Sequence, residues 1–119
     1  MNTQEIANRL AELCRKGDWK TAQEELFAKD AVSIEQHESP GFAKETKGLD
    51  AIRKKGEAWE GMVDEVHSIK ISEPQVAGNS FSLVMDMEMT LKQGGRQQMK
   101  ELCVYETKDG KVISERFFM

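Results

Sequence analysis

Apolar residues recur at helical spacing through the first half of the chain and at every second position through the latter half. Ile6, Leu10, Leu13 and Cys14 share one helical face, with Asn2 or Thr3 available as the N-cap and Gly17 to end the run. Asp18 is a suitable N-cap for a second helix, on which Trp19, Ala22, Leu26 and Phe27 fall on one side. A third helical stripe joins Leu49, Ile52, Gly56, Trp59 and Val63. Glycine costs helix stability, so Gly56 within that stripe predicts close packing against a neighbour. Between the second and third helices, residues 32–37 read as a short strand. Pro40-Gly41 and Gly48 mark residues 38–48 as a loop.

From Val66 the period changes to two. Residues 66–72 read as a strand with His67, Ile69 and Ile71 on one face. In residues 81–91, Phe81, Leu83, Met85, Met87, Met89 and Leu91 alternate with Ser82, Val84, Asp86, Glu88 and Thr90. Two tight turns, Gln93-Gly94-Gly95-Arg96 and Lys108-Asp109-Gly110-Lys111, separate this strand from strands at 99–107 and 112–118, which must therefore be antiparallel neighbours. Helices first and a meander afterwards is an α+β order. A length of 119 residues predicts a single domain over 1–119.

The net charge of −4 and the lack of any basic run longer than Arg53-Lys54-Lys55 argue against a nucleic-acid partner. No stretch approaches the length and apolarity of a membrane span, and charges at Glu5, Arg9, Glu12 and Arg15 exclude a signal peptide at the start, so a cytoplasmic location is expected. Cys14 and Cys103 lie far apart within apolar patterns and read as buried thiols.

Particular words at particular places complete the picture. They are Leu26-Phe27-Ala28-Lys29-Asp30-Ala31-Val32, Gly48-Leu49-Asp50-Ala51-Ile52, Trp59, Glu65-Val66-His67-Ser68, residues 104–112 around Tyr105 and Asp109-Gly110, and the tail Glu115-Arg116-Phe117-Phe118. In this order the chain resembles SnoaL-like domains of the nuclear transport factor 2-like superfamily. The resemblance implies three N-terminal helices packed on a curved antiparallel β-sheet (a cystatin-like cone), a cavity between the two layers, and a homodimer through the outer sheet face. That superfamily holds ketosteroid isomerases, polyketide cyclases, dehydratases and a noncatalytic transport factor, so function must be argued from the site.

The resemblance places Glu35 where ketosteroid isomerases carry their catalytic carboxylate. A carboxylate in an apolar cavity can move protons near neutral pH. It also shows a gap: the isomerases' helix-one tyrosine position falls near Ala11, and their late-strand acid falls near Leu102, one residue from Glu101. His67, from its strand phase, is expected to point toward the cavity as a second acid/base group or as a core imidazole. His37 belongs to a pocket mouth or to a loop edge. Glu101 and Glu115 sit among apolar strand neighbours, where an acid must be paired or protonated. They read either as the floor of a polar pocket or as a wetted dimer interface, with Arg96, Lys100 and Arg116 available as ion-pair partners. Trp59, Glu101, Tyr105, Glu115 and Phe117 are the expected ligand-binding residues. No metal-ligand spacing, phosphate loop or nucleophile elbow occurs, so no metal or cofactor is expected. The expected function is binding of a small apolar or weakly polar organic molecule, with isomerase-, cyclase- or dehydratase-type acid/base chemistry on Glu35 and His67. The rival is a noncatalytic ligand-binding or homodimerisation module.

Overall fold

The computed structural model describes residues 1–119. The elements follow as α1 (Thr3–Arg15), α2 (Trp19–Leu26), β1 (Phe27–Ile34), β2 (Glu45–Lys47), α3 (Leu49–Met62), β3 (Val63–Ile71), β4 (Gln75–Ala77), β5 (Ser80–Leu91), β6 (Gly95–Lys108) and β7 (Lys111–Phe118). Each of the first two helices starts where its cap is strongest. The Asn2 side chain accepts from the Glu5 N–H at 2.8 Å while the Glu5 carboxylate accepts from the Asn2 N–H at 2.9 Å, a reciprocal capping box. Asp18 accepts from the Thr21 N–H at 3.2 Å to open α2. Gly17, at φ +71°, turns the chain between them in a conformation that side chains resist. Asp109 and Gly110, both at positive φ, close the β6–β7 hairpin.

One sheet of seven strands runs in the order β2-β1-β7-β6-β5-β3, with β4 paired to β5. β3, β5, β6 and β7 pair antiparallel in succession, as the tight turns require for the last three. The expectation of an antiparallel sheet fails at one seam: β1 lies parallel to β7. These strands are joined through the whole intervening chain and not by a hairpin, so no local turn fixes their relative direction. The sheet is therefore mixed.

Several boundaries move for local reasons. Phe27 adopts extended backbone (φ −91°, ψ 142°) and starts β1 instead of closing the second helix. β1 stops at Ile34, although the Glu35 N–H still donates to the Lys44 carbonyl at 2.7 Å. The expected loop at 38–48 contains β2, and β3 begins directly after α3, three residues before the expected start. β4 was not anticipated. Gly56 does not mark the expected close packing: a Cβ there would meet only the Gln23 side chain, at an ordinary contact distance of 3.7 Å.

The core lies between α1, α2 and the inner sheet face. Phe81, Ile6, Leu26, Ile52, Leu83, Met87 and Val112 are its most enclosed large side chains, and Phe81 stacks on Tyr105 with ring centroids 4.8 Å apart. On β5 and β6 the odd-numbered residues from Phe81 to Met89 and from Glu101 to Thr107 face inward. No helix is long and apolar enough to cross a membrane.

Candidate functional site

Towards α3 the same inner face is not packed solid. A cavity of about 870 Å³ lies there, walled by Trp19 of α2, Trp59 of α3, Met85 and Met87 of β5, and Met99 and Phe117 of the last hairpin. His37, Ser39 and Pro40, all exposed, and the half-buried Phe42 also line it. Strand alternation decides which polar groups enter. Ser33 and Glu35 lie two residues apart and so face the same side. In register, Ser33 pairs with Glu115, and Glu115 with Tyr105.

Six of the expected site residues, Glu35, Trp59, Glu101, Tyr105, Glu115 and Phe117, line this cavity. His67 does not. In β3, Val66 pairs with Met89 and Ser68 with Glu88, which leaves His67 as the extra residue of a β-bulge. The expected shared face with Ile69 and Ile71 is lost, and the imidazole Nε2 instead lies 2.7 Å from the Thr90 hydroxyl on the outer surface of the sheet. Glu65 is 3.7 Å from its Nδ1. A second bulge, at Ile113, brings Val112 rather than Ile113 onto the face shared by Glu115 and Phe117.

Lys55 was not anticipated, and it organises the polar side of the cavity. Its Nζ donates to the Ser33 hydroxyl at 2.6 Å and to Glu35 Oε1 at 3.2 Å, and sits 5.4 Å from the centroid of the Phe117 ring. The Lys55 and Glu35 side chains are only 15% and 25% exposed, so solvent screens this pair less than a surface one. The signal was present: Lys55 falls three residues after Ile52 and four before Trp59, on the inward stripe of α3.

Glu101 and Glu115 are 8% and 6% exposed. Neither makes an ion pair, and the expected partners point elsewhere, with Arg96 bound to Glu88 at 2.7 Å. Burial pushes the Glu115 carboxyl up to about 7; the Ser33 hydroxyl and Lys55 pull it partly back, and Glu35 raises it. Burial likewise lifts Glu101 to about 7, opposed by the Cys103 thiol, which donates to Glu101 Oε1 at 3.5 Å, and by Lys55, and reinforced by Glu35 and Glu115. Near neutral pH each acid is therefore divided between its two forms. The cysteines are free and buried, and burial raises the Cys14 thiol to about 12, so neither is poised as a nucleophile. No three His, Cys, Asp or Glu side chains come together as a metal-binding group.

Three helices over a curved mixed sheet, with a cavity between the layers, define the cystatin-like, ketosteroid isomerase-like class of α+β domain. The chain belongs to the SnoaL-like domain family, whose sequence profile matches residues 1–119. A crystal structure from Mesorhizobium loti, described as a candidate SnoaL-like polyketide cyclase, is 35% identical over 100% of both chains and superposes with a TM-score of 0.92. A protein of ketosteroid isomerase-like fold from Catenulispora acidiphila, in complex with trimethylamine, is 16% identical over 97% of this chain and 85% of its own, with a TM-score of 0.74. TerC, co-crystallised with polyporic acid, is 13% identical over 98% of this chain and 90% of its own, with a TM-score of 0.80. At these identities the latter two show the fold alone. No curated protein matches the sequence.

Proposed function

We propose that the chain binds a small organic molecule in the α3-side cavity and moves a proton on it, with Glu35 as the base, in an isomerase-, cyclase- or dehydratase-type reaction. The observation that carries this reading is the Glu35–Lys55 pair at the cavity wall. A carboxylate there can take a proton from a carbon beside a carbonyl, and the adjacent ammonium can hold the negative charge that develops on oxygen. This supplies from α3 an electrophilic group for which the isomerase-type positions on the first helix offer only Ala11. The full-length likeness to the Mesorhizobium protein supports the reaction class, and the ligands held by the Catenulispora protein and TerC support small-molecule occupancy. His67, outside the cavity, has no part in the reading.

The test is deuterium exchange at the α-carbons of 2-tetralone in D2O, followed by NMR. Wild type accelerates exchange over buffer, and Glu35→Gln loses about 10²-fold of that acceleration. Equal rates for the two proteins would remove Glu35 as the base. The rival reading, a noncatalytic binding module, is favoured if wild type binds 2-tetralone without accelerating exchange.

The outer sheet face supports a second proposal, a homodimer. Val84, Leu102 and Phe118 are in register across β5, β6 and β7, and Leu102 and Phe118 are exposed. Sedimentation equilibrium is expected to show a dimer for wild type and a monomer for Leu102→Asp; a monomeric wild type would end this proposal.

A further inference from the structure

The acids on the cavity floor outnumber the cations that could neutralise them. Glu35, Glu101 and Glu115 face the cavity, against the single ammonium of Lys55, which is already engaged by Ser33 and Glu35. The register places the two deep acids with some definition. Cys103 pairs with Phe117, Glu101 precedes Cys103 by two residues, and Glu115 precedes Phe117 by two. Because β6 and β7 are antiparallel, Glu101 and Glu115 lie on opposite sides of the Cys103–Phe117 row, roughly 13 Å apart along the strands, and both side chains line the cavity. Each is more than nine-tenths buried, and neither has a cationic partner. The groups facing them are Lys55 of α3, Ser33 and Glu35 of the β1 end, Cys14 of α1, and Cys103 and Tyr105 of β6.

Two further observations point to an occupant, and the second of them to one carrying positive charge. Tyr105 is buried on the cavity wall and its hydroxyl makes no protein hydrogen bond, while no fully enclosed side-chain oxygen or nitrogen is left without a partner; the hydroxyl therefore opens onto the cavity. The walls also accept a cation, since the Lys55 ammonium rests over the Phe117 ring, and Trp19, Trp59 and Phe42 offer more aromatic surface.

We propose that the ligand of this cavity is an organic cation, an apolar body bearing a protonated or quaternary amine, whose nitrogen is held on the floor by Glu101 and Glu115. The apolar body fills the space between the tryptophans and Met85, Met87 and Met99. This names the substrate class of the site proposed above and rests on that reading. Binding a cation favours the ionised carboxylates, so protons leave the floor as the ligand enters.

The test uses three probes that share one benzene ring: benzyltrimethylammonium, acetophenone and benzoate, titrated calorimetrically at pH 6 and pH 8. The ammonium is expected to bind tightest. Its affinity rises roughly tenfold from pH 6 to pH 8, because a carboxyl titrating near 7 passes from about one-tenth to about nine-tenths ionised. Glu101→Gln and Glu115→Gln, checked for folding by circular dichroism, each weaken the ammonium several-fold and flatten its pH dependence, leaving acetophenone unchanged. The wild-type pH series stands even if a variant does not fold. Tighter binding of acetophenone or benzoate, or an ammonium affinity indifferent to pH, overturns the cation proposal and leaves the small-molecule cavity intact. Failure of all three probes to bind overturns both.

Discussion

Two helices of nearly equal length cover the same sheet and meet it in opposite ways. α1, with 13 residues, buries six of them, Ile6, Ala7, Leu10, Ala11, Leu13 and Cys14. α3, with 14 residues, buries only Ile52. Phe81 and Leu83 on the inner face are enclosed, whereas Glu101, Glu115 and Phe117 line the cavity, which Leu10 and Cys14 of α1 border from one side and Lys55 and Trp59 of α3 from the other. The difference originates in side-chain chemistry. Leu and Ile on α1 pack into an apolar core, whereas on α3 Lys55 is paired with Glu35 and Trp59 lines the cavity, and buried acids gain nothing from apolar contact. Stability is concentrated in one half of the interface, and chemistry is available in the other because packing there is incomplete.

The largest effect that could break this division comes from truncating one aromatic in each half. Phe81→Ala removes a fully enclosed ring stacked on Tyr105 and is expected to cost about 3–5 kcal/mol in urea unfolding. Trp59→Ala, despite the larger side chain, enlarges an existing cavity and should cost under about 2 kcal/mol, because the ring is only partly buried. Equal losses would mean that α3 is packed into the core as firmly as α1, and the contrast would fall.

The same contrast separates what the sequence made legible from what it did not. The three helices and the long strands were visible because each repeats one period for many residues between recognisable caps and turns, as Asn2, Asp18 and Asp109-Gly110 show. Alternation put Glu101 with Tyr105 and Glu115 with Phe117 on common strand faces without saying which face turns inward, and Glu35 was placed by the family resemblance. His67 was misplaced because a single bulge residue reverses strand phase, and no residue type announces it. The parallel pairing of β1 with β7 was hidden for a related reason: no local turn joins the two strands. Lys55 was overlooked as a member of a basic run, although its position on the stripe of Ile52 and Trp59 marked it as inward.

A smaller effect sharpens the contrast by asking whether the open half carries an energetic cost. The Glu115 carboxyl lies near 4.5 when solvated and near 7 in the folded chain, principally through burial. Below 4.5 both folded and unfolded chains hold the proton, and this group contributes no difference. Between 4.5 and 7 the unfolded chain releases the proton and the folded chain keeps it, so stability falls as pH rises, and above 7 the loss is complete. A shift of this size corresponds to roughly 3 kcal/mol, an upper figure once water in the cavity and Lys55 relax around the charge. Glu115→Gln keeps the shape but cannot ionise. In urea unfolding it should match wild type within about half a kcal/mol at pH 4 and exceed it by about 2 kcal/mol at pH 8. A variant no more stable than wild type at pH 8 would mean that Lys55 already compensates the floor. The open half would then be electrostatically as settled as the half beneath α1, and the unmet negative charge that calls for a cationic ligand would not exist.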